Sequence, residues 1–109
     1  MDRLLNSLYK LIDDKQGDDI TILDFRNNSP YVDYFIVASA RNSRLAKAIV
    51  EEVEDYANKN EIKVLSKDVS KDSNWLFIDI GLIVVHIFVG EERAKYNLDG
   101  LWKDLQIEI

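Results

Sequence analysis

Two apolar segments separated by a short turn signal occupy residues 75–88, with polar sequence on both sides. β-Branched and aromatic residues dominate both segments, which is typical of β-strands. With a tight turn at residues 81–82, the segments form an antiparallel hairpin in which Trp75 lies opposite Phe88. The pattern therefore predicts a hairpin, and it specifies which residue of the first strand lies opposite each residue of the second.

This register sorts the side chains of the hairpin onto two faces, because side chains alternate along a strand. One face is aliphatic and contains Leu76, Ile78, Ile80, Ile83, Val85 and Ile87. The other, here named the aromatic face, contains Trp75, Phe77, Asp79, Val84, His86 and Phe88. We expect helices to cover the aliphatic face. The remaining helices are too few to cover the aromatic face, which is therefore expected to stay exposed. Exposed aromatic patches of this kind mark interaction sites.

The rest of the chain alternates between helical and extended patterns. The predicted elements, in chain order, are a helix over 2–14, strands over 20–25 and 33–39, a helix from Asn42 or Ser43 to about Asn58, a short peripheral strand over 62–65, the hairpin, and one or two short helical turns over 91–105. The strand over 33–39 is almost entirely apolar, so we expect both of its faces to be covered. This order predicts an α/β fold with a mixed five-stranded sheet and helices mainly on one face.

Composition limits the class of protein. A chain of 109 residues predicts a single domain over residues 1–109, and 47% hydrophobic residues argue against wholesale disorder. The absence of cysteine excludes disulfides and thiolate metal sites, and it suits a reducing cytoplasm. No apolar segment reaches the roughly 18 residues that a membrane span needs, and no signal peptide is evident. We therefore expect a cytoplasmic location and no membrane contact.

The balance of charge favours a basic partner protein. The net charge is −6, from twenty acidic and fourteen basic residues. Such a chain repels phosphate backbones and attracts basic protein surfaces. Arg41, Arg44 and Lys47 form a small basic cluster at the start of the second long helix, which is too small to carry RNA binding. We expect little direct binding of nucleic acid.

Motifs of catalysis are missing from the sequence. Glycine-rich phosphate loops, nucleophile elbows and zinc-protease motifs do not occur. His86 is the only histidine, and Asp79 is the only acidic residue clearly placed beside it. The two could form half of a general-base system. The favoured interpretation is a histidine whose ring nitrogens bond Asp79 and the backbone or water, with no catalytic residue, metal site or cofactor.

Several other side chains are open to two interpretations. Trp75 begins a strand at the edge of the aromatic face, where it could fill the core or anchor an interface. Trp102 is more typical of a core residue. Arg93, Tyr96 and Asp99 lie in the short C-terminal helical segment, where capping and local ion pairs are the alternative to contact with a partner.

Several sequence blocks together resemble one protein family. The blocks are Asp33 to Ser39, Arg44, Lys47 to Ile49, Trp75-Leu76 with Asp79 and Gly81, Val84 to Phe88, Arg93, and Tyr96 to Trp102. In this order and spacing they resemble the ribosomal silencing factor (Iojap-like) family, over about residues 19–104. The family resemblance implies a nucleotidyltransferase-like α/β core.

The resemblance also implies a function. Such a factor binds the large ribosomal subunit through its protein fourteen, sterically blocks joining of the small subunit when nutrients are scarce, and is linked to large-subunit maturation. Members form homodimers when free. The Gly-Ser and paired-aspartate signature of active nucleotidyltransferases is not visible in this sequence. A nucleotide-binding or nucleotidyltransferase-type enzyme is the alternative, and a homodimeric interaction module without a ribosomal role is a third hypothesis.

The two lines of reasoning converge on one set of partner-binding residues. Trp75 and Phe88 are expected to anchor the partner, and Asp79 and Asp99 to pair with its basic groups. The full predicted set is Trp75, Phe77, Asp79, His86, Phe88, Arg93, Tyr96, Asp99 and Trp102.

Overall fold

The computed structural model describes residues 3–70 and 72–108. Its elements in chain order are α1 (Arg3–Asp14), β1 (Asp18–Asp24), β2 (Tyr34–Ala40), α2 (Ser43–Lys59), β3 (Ser66–Asp68), β4 (Trp75–Asp79), β5 (Ile83–Val89), α3 (Glu92–Tyr96), α4 (Leu98–Leu101), a 3₁₀ turn (Lys103–Leu105) and β6 (Gln106–Ile107). The two long helices, the first two strands and the hairpin lie within two residues of their predicted bounds. The predicted helix start at residue 2 lies outside the described residues.

The sheet is mixed, as predicted. Across the described residues its strand order is β3-β4-β5-β2-β1-β6. Neighbouring strands are antiparallel except β2 and β5, which run parallel. The predicted count of five strands is wrong, because Gln106–Ile107 forms a sixth strand beside β1. Two residues are too few to show the alternation by which strands are recognised in a sequence.

The short strand before the hairpin is displaced from its predicted position. It lies at Ser66–Asp68 rather than at residues 62–65, and it pairs with residues 77–79 of β4. Ile62 and Val64, whose apolar character suggested a strand, instead pack against the core from the segment that follows α2. Main-chain pairing with β4 therefore determines where this strand forms.

The hairpin has the predicted register. All five pairs that join β4 to β5 agree with it. A 3.1 Å hydrogen bond from the Ile80 N–H to the Ile83 carbonyl closes the turn. Gly81 adopts a φ of 95°, a conformation that a residue without a β carbon reaches without strain.

The aliphatic face of the hairpin lies in the main core, as predicted. Helix α2 covers the hairpin with one apolar stripe, and α1 contributes a second stripe that packs beside α2 and on β1 in the same core. The buried residues of these stripes are Leu5, Leu8 and Ile12 on α1, and Ala46, Ile49, Val50, Val53 and Ala57 on α2. The side chain of Asn42 caps α2 by accepting a 2.8 Å hydrogen bond from the Leu45 N–H. Burial of these stripes explains the helical spacing seen in the sequence.

The opposite face of the sheet is partly covered by the C-terminal segment, residues 92–107. Leu98, Trp102 and Leu105 from this segment pack in a second apolar cluster over β1, β2 and β5. The expectation of an uncovered aromatic face is therefore wrong over this half of the sheet. The physical reason is that the short helical turns carry apolar side chains of their own, which leave water by packing on the nearest apolar surface.

Candidate functional site

The C-terminal segment leaves part of the aromatic face accessible. We name this region the open patch, and its members are Phe35, Trp75, Phe77, Asp79, Tyr96 and Trp102 around a central His86. The side chains around the histidine are partly or half exposed, whereas His86 itself is only 7% exposed. The open patch is thus a surface of aromatic rings with an imidazole beneath it.

Three strands place the rings around His86. Phe35 lies on β2, Trp75 and Phe77 lie on β4, and His86 lies between them on β5. The ring centroids of these three side chains are 4.5, 5.8 and 6.5 Å, respectively, from the centroid of His86. Tyr96 from α3 extends the patch, since its ring lies 4.6 Å from that of Trp75. The arrangement follows from sheet register, with His86 directly opposite Phe77.

Phe35 is a patch residue that the sequence did not reveal. Its strand is nearly all apolar, which predicted cover on both faces. In the structure Phe35 is partly exposed and also contacts Trp102, with ring centroids 5.7 Å apart. Only the parallel pairing of β2 with β5, which places Phe35 beside Val84, brings it to the hairpin. No local signal in the sequence encodes that pairing.

His86 bonds Trp75 rather than Asp79. The indole Nε1–H of Trp75 donates a 3.0 Å hydrogen bond to Nδ1 of His86. The carboxylate of Asp79 instead accepts a 2.8 Å bond from the Gly81 N–H in the hairpin turn. The predicted pairing of Asp79 with His86 is therefore wrong, because the aspartate is used by the turn that follows it.

The imidazole of His86 is a neutral donor in this environment. Burial lowers its pKa to about 4, because charge is costly away from water. Since Nδ1 accepts a hydrogen bond from Trp75, the ring proton is on Nε2. Nε2 is buried and has no hydrogen-bond partner among the described residues.

Phe88 is not available to a partner. It is completely buried, and its ring stacks beneath that of Trp75 at a centroid distance of 5.2 Å. The expectation that Phe88 anchors a partner is corrected, because the C-terminal segment and Trp75 enclose it. Its contribution to the open patch is to support Trp75 from below.

Arg93 and Asp99 hold the C-terminal segment on the sheet. Two hydrogen bonds join the guanidinium to the carboxylate, at 3.2 and 2.6 Å. The same guanidinium donates to Ser39 Oγ at 3.0 Å and to Thr21 Oγ1 at 2.9 Å. Burial raises the pKa of Asp99, but the hydrogen bonds and charge of Arg93 outweigh burial and leave that pKa below its usual value. The local ion pair foreseen as the alternative is thus present, and contact of either residue with a partner stays a prediction.

Comparison with known proteins identifies the family. The family described as "Ribosomal silencing factor during starvation" matches residues 1–109. The chain belongs to this family. It is 37% identical over 92 residues to the ribosomal silencing factor RsfS of Bacillus subtilis, covering 84% of this chain and 78% of that protein. The resemblance inferred from the sequence blocks is confirmed.

Two further proteins resemble the chain at lower sequence identity. A mouse protein named "Mitochondrial assembly of ribosomal large subunit protein 1" is 28% identical over 104 residues, which cover 90% of this chain and 44% of that protein. A crystal structure of a Chromobacterium violaceum protein superposes with a TM-score of 0.85 at 23% identity, covering 94% of this chain and 88% of the other. The second comparison supports the fold alone.

The relatives named above are called a silencing factor and an assembly protein, not enzymes. Within residues 3–70 and 72–108, no group of three or more His, Cys, Asp or Glu side chains is arranged to hold a metal ion. None of the helices in the described part of the chain is both long and apolar enough to cross a membrane.

Proposed function

We propose that this chain docks through the open patch on protein fourteen of the large ribosomal subunit, and that the bound chain blocks joining of the small subunit. The observation that carries the proposal is the open patch itself, in a member of the silencing factor family. Trp75 and Tyr96 both present partly exposed rings there. Tryptophan and tyrosine are the residue types that contribute most to binding energy at protein interfaces.

Charge supports a basic partner. The chain carries a net charge of −6, and the partly exposed Asp79 lies within the open patch. An acidic chain with aromatic anchors is complementary to a basic ribosomal protein. The same charge opposes direct docking on ribosomal RNA.

The size of the protein supports a steric mechanism of silencing. Its principal extents are 33 × 33 × 23 Å. A body of this size, bound where the two subunits meet, would keep their surfaces too far apart for direct contact. Blocking would then need no catalytic chemistry, only occupancy, and it would take place in the cytoplasm.

The name of the mouse relative supports a second role at the same place. That protein is named for assembly of the large ribosomal subunit. We propose that this chain also aids maturation of the large subunit, by occupying the same surface before the small subunit arrives. Depletion of the protein should then lead to accumulation of incomplete large subunits in sucrose gradients, and an unchanged gradient profile would argue against this role.

The open patch also offers a route to self-association in the free protein. Pairing of two copies through Trp75, Phe77 and Tyr96 would remove partly exposed rings from water. We propose that free chains form such a homodimer and that the ribosomal partner displaces the second copy. Light scattering of the free protein tests this, and a strictly monomeric chain at high concentration would remove the idea.

Replacement of Trp75 by alanine tests the docking proposal. We expect Trp75→Ala to weaken binding to purified large subunits by about 30-fold or more, which is typical of an interfacial tryptophan. Cosedimentation over a range of concentrations measures the change. Subunit joining, followed by light scattering, should be inhibited by the wild-type chain and much less by the variant.

A matched control is available in Leu65, an exposed apolar residue outside the open patch. Leu65→Ala should bind large subunits as the wild type does. Thermal unfolding of each variant must show a folded protein, since Trp75 also stacks on Phe88 and bonds His86. Unchanged cosedimentation of folded Trp75→Ala would contradict docking through this patch.

A further inference from the structure

The buried Nε2–H group of His86 lies at the centre of the open patch without a partner among the described residues. Buried donors are nearly always paired, because an unpaired donor has lost its hydrogen bond to water without gaining another. This group is therefore an unusual feature of the free chain. Its position beneath a surface proposed to bind another protein suggests what could pair with it.

The identity of the donor follows from Trp75. The indole N–H of Trp75 donates a hydrogen bond to Nδ1 of His86, so the neutral ring carries its proton on Nε2. Protonation of Nδ1 would place two N–H groups against each other, and burial already disfavours the charged ring. At neutral pH the ring therefore offers one donor, and the Trp75–His86 bond determines which nitrogen carries it.

Two aromatic side chains border this donor. The rings of Phe35 and Phe77 flank the imidazole, and both side chains are only partly buried. A docking partner that presses between these two rings would thus reach a hydrogen-bond donor already held in position.

The chemistry of the acceptor follows from the charge around it. A carboxylate is disfavoured, because the chain carries a net charge of −6 and Asp79 lies in the same patch. Lysine and arginine side chains of a basic partner are donors and cannot accept a hydrogen bond. The main-chain carbonyl oxygens of such a partner are neutral acceptors, and every residue of the partner carries one.

We propose, on the basis of the docking function above, that His86 Nε2–H donates a hydrogen bond to a main-chain carbonyl oxygen of the ribosomal protein bound at the open patch. Binding then pairs a buried donor that has no partner within residues 3–70 and 72–108. The bond sets the position of the partner backbone relative to Trp75 and Phe77. Aromatic contact supplies most of the affinity, and the His86 donor adds to the affinity and sets the register.

Two substitutions of His86 test the roles of its two ring nitrogens separately. In His86→Asn, the side-chain oxygen can take the place of Nδ1 and accept from Trp75, but no donor remains at the position of Nε2. In His86→Gln, the amide nitrogen reaches the position of Nε2 and keeps a donor there. We expect binding to purified large subunits to weaken about 10-fold for His86→Asn and less than about 3-fold for His86→Gln.

The outcomes distinguish this inference from the proposed function. If folded His86→Asn binds as tightly as the wild type while Trp75→Ala does not, the hydrogen bond is refuted and docking through the patch stands. If the wild type itself fails to bind large subunits, both are refuted. Equal losses in His86→Asn and His86→Gln would also refute the assigned role of Nε2.

A measurement on the wild-type protein does not depend on the folding of either variant. The sequence has a single histidine, so labelling with ¹⁵N-histidine reports one imidazole. The nitrogen spectrum at neutral pH should show a protonated Nε2 and an unprotonated Nδ1. A proton on Nδ1 would overturn the inference, since Nε2 could then not donate.

Discussion

At the scale of single residues, the Trp75–His86 pair links stability to the open patch. Trp75 Nε1–H donates to His86 Nδ1, and the ring of Trp75 stacks on the buried Phe88. Trp75 therefore packs against the core and at the same time remains partly exposed at the surface. The two interpretations left open by the sequence, core residue and interface anchor, are compatible in this geometry.

Acid sensitivity is a prediction at this scale. Burial lowers the pKa of His86 from 6.5 to about 4, so between these values the unfolded chain binds a proton that the folded chain does not. The free energy of unfolding should therefore fall as pH drops through this window, by a total on the order of 3 kcal/mol. Well above pH 6.5 neither state is protonated at this group, and its contribution is constant.

Urea denaturation at several pH values measures this effect. His86→Gln has no titratable group at this position, so its stability should decline less between pH 6.5 and 4. Carboxylates titrate alike in both proteins, and the difference between the two curves isolates His86, the only histidine in the sequence. Parallel curves for the two proteins would contradict the predicted pKa shift.

At the scale of elements, the C-terminal segment decides which part of the aromatic face is accessible. Leu98, Trp102 and Leu105 attach it to the sheet by apolar contacts. Arg93 adds hydrogen bonds to Thr21 and Ser39, on the two strands beneath. The segment is short and has few buried side chains, so the Arg93 network is a large share of what holds it.

Replacement of Arg93 by methionine tests the network. The variant leaves the partly buried carboxylate of Asp99 without its ion pair. Its free energy of unfolding should therefore be about 2 kcal/mol lower than that of the wild type. Loosening of the segment should also expose Trp75 and Trp102, which shifts tryptophan emission to longer wavelength in the folded protein. Chemical denaturation followed by fluorescence measures both changes.

Lys10→Met is a suitable control, because the Lys10–Asp14 pair lies on the exposed surface of α1. Exposed pairs contribute little to stability, so this variant should unfold almost as the wild type does. If Arg93→Met were as stable as Lys10→Met, attachment of the C-terminal segment would rest on its apolar contacts alone.

At the scale of the whole molecule, the net charge acts in opposite senses on the two complexes proposed to form through the open patch. Each copy carries a charge of −6, so two copies repel each other, whereas a basic ribosomal protein is attracted. Salt screens both effects, with a Debye length of about 10 Å at 0.1 M. The sign of the salt response therefore distinguishes the two partners.

Raising the salt concentration from about 0.05 M to about 0.5 M should weaken binding to large subunits several-fold, and it should leave self-association unchanged or stronger. Binding to intact large subunits is measured by cosedimentation and self-association by light scattering, with magnesium held constant. Ribosome binding that is insensitive to salt would show that aromatic contact, without charge complementarity, accounts for the complex.

The sequence alone determined the local features of this protein. Hairpin register, both long helices and the aliphatic core face follow from periodicity, which is a property of neighbouring residues. The same local blocks were sufficient to indicate the family. Two strands, Ser66–Asp68 and Gln106–Ile107, were not predicted at their positions. They form because of pairing with a neighbouring strand and not because of their own sequence pattern.

Only the tertiary structure decided which aromatic residues remain accessible. Arg93 contacts Thr21 across 72 positions of sequence, and β2 pairs in parallel with β5 although α2, β3 and β4 lie between them in the chain. Through these distant pairings Phe88 becomes buried and Phe35 reaches the surface. The bond of His86 to Trp75 is instead made within the hairpin, where the turn takes the carboxylate of Asp79. Alternation along a strand indicates which side chains share a face. Segments that are distant in the chain determine what covers that face.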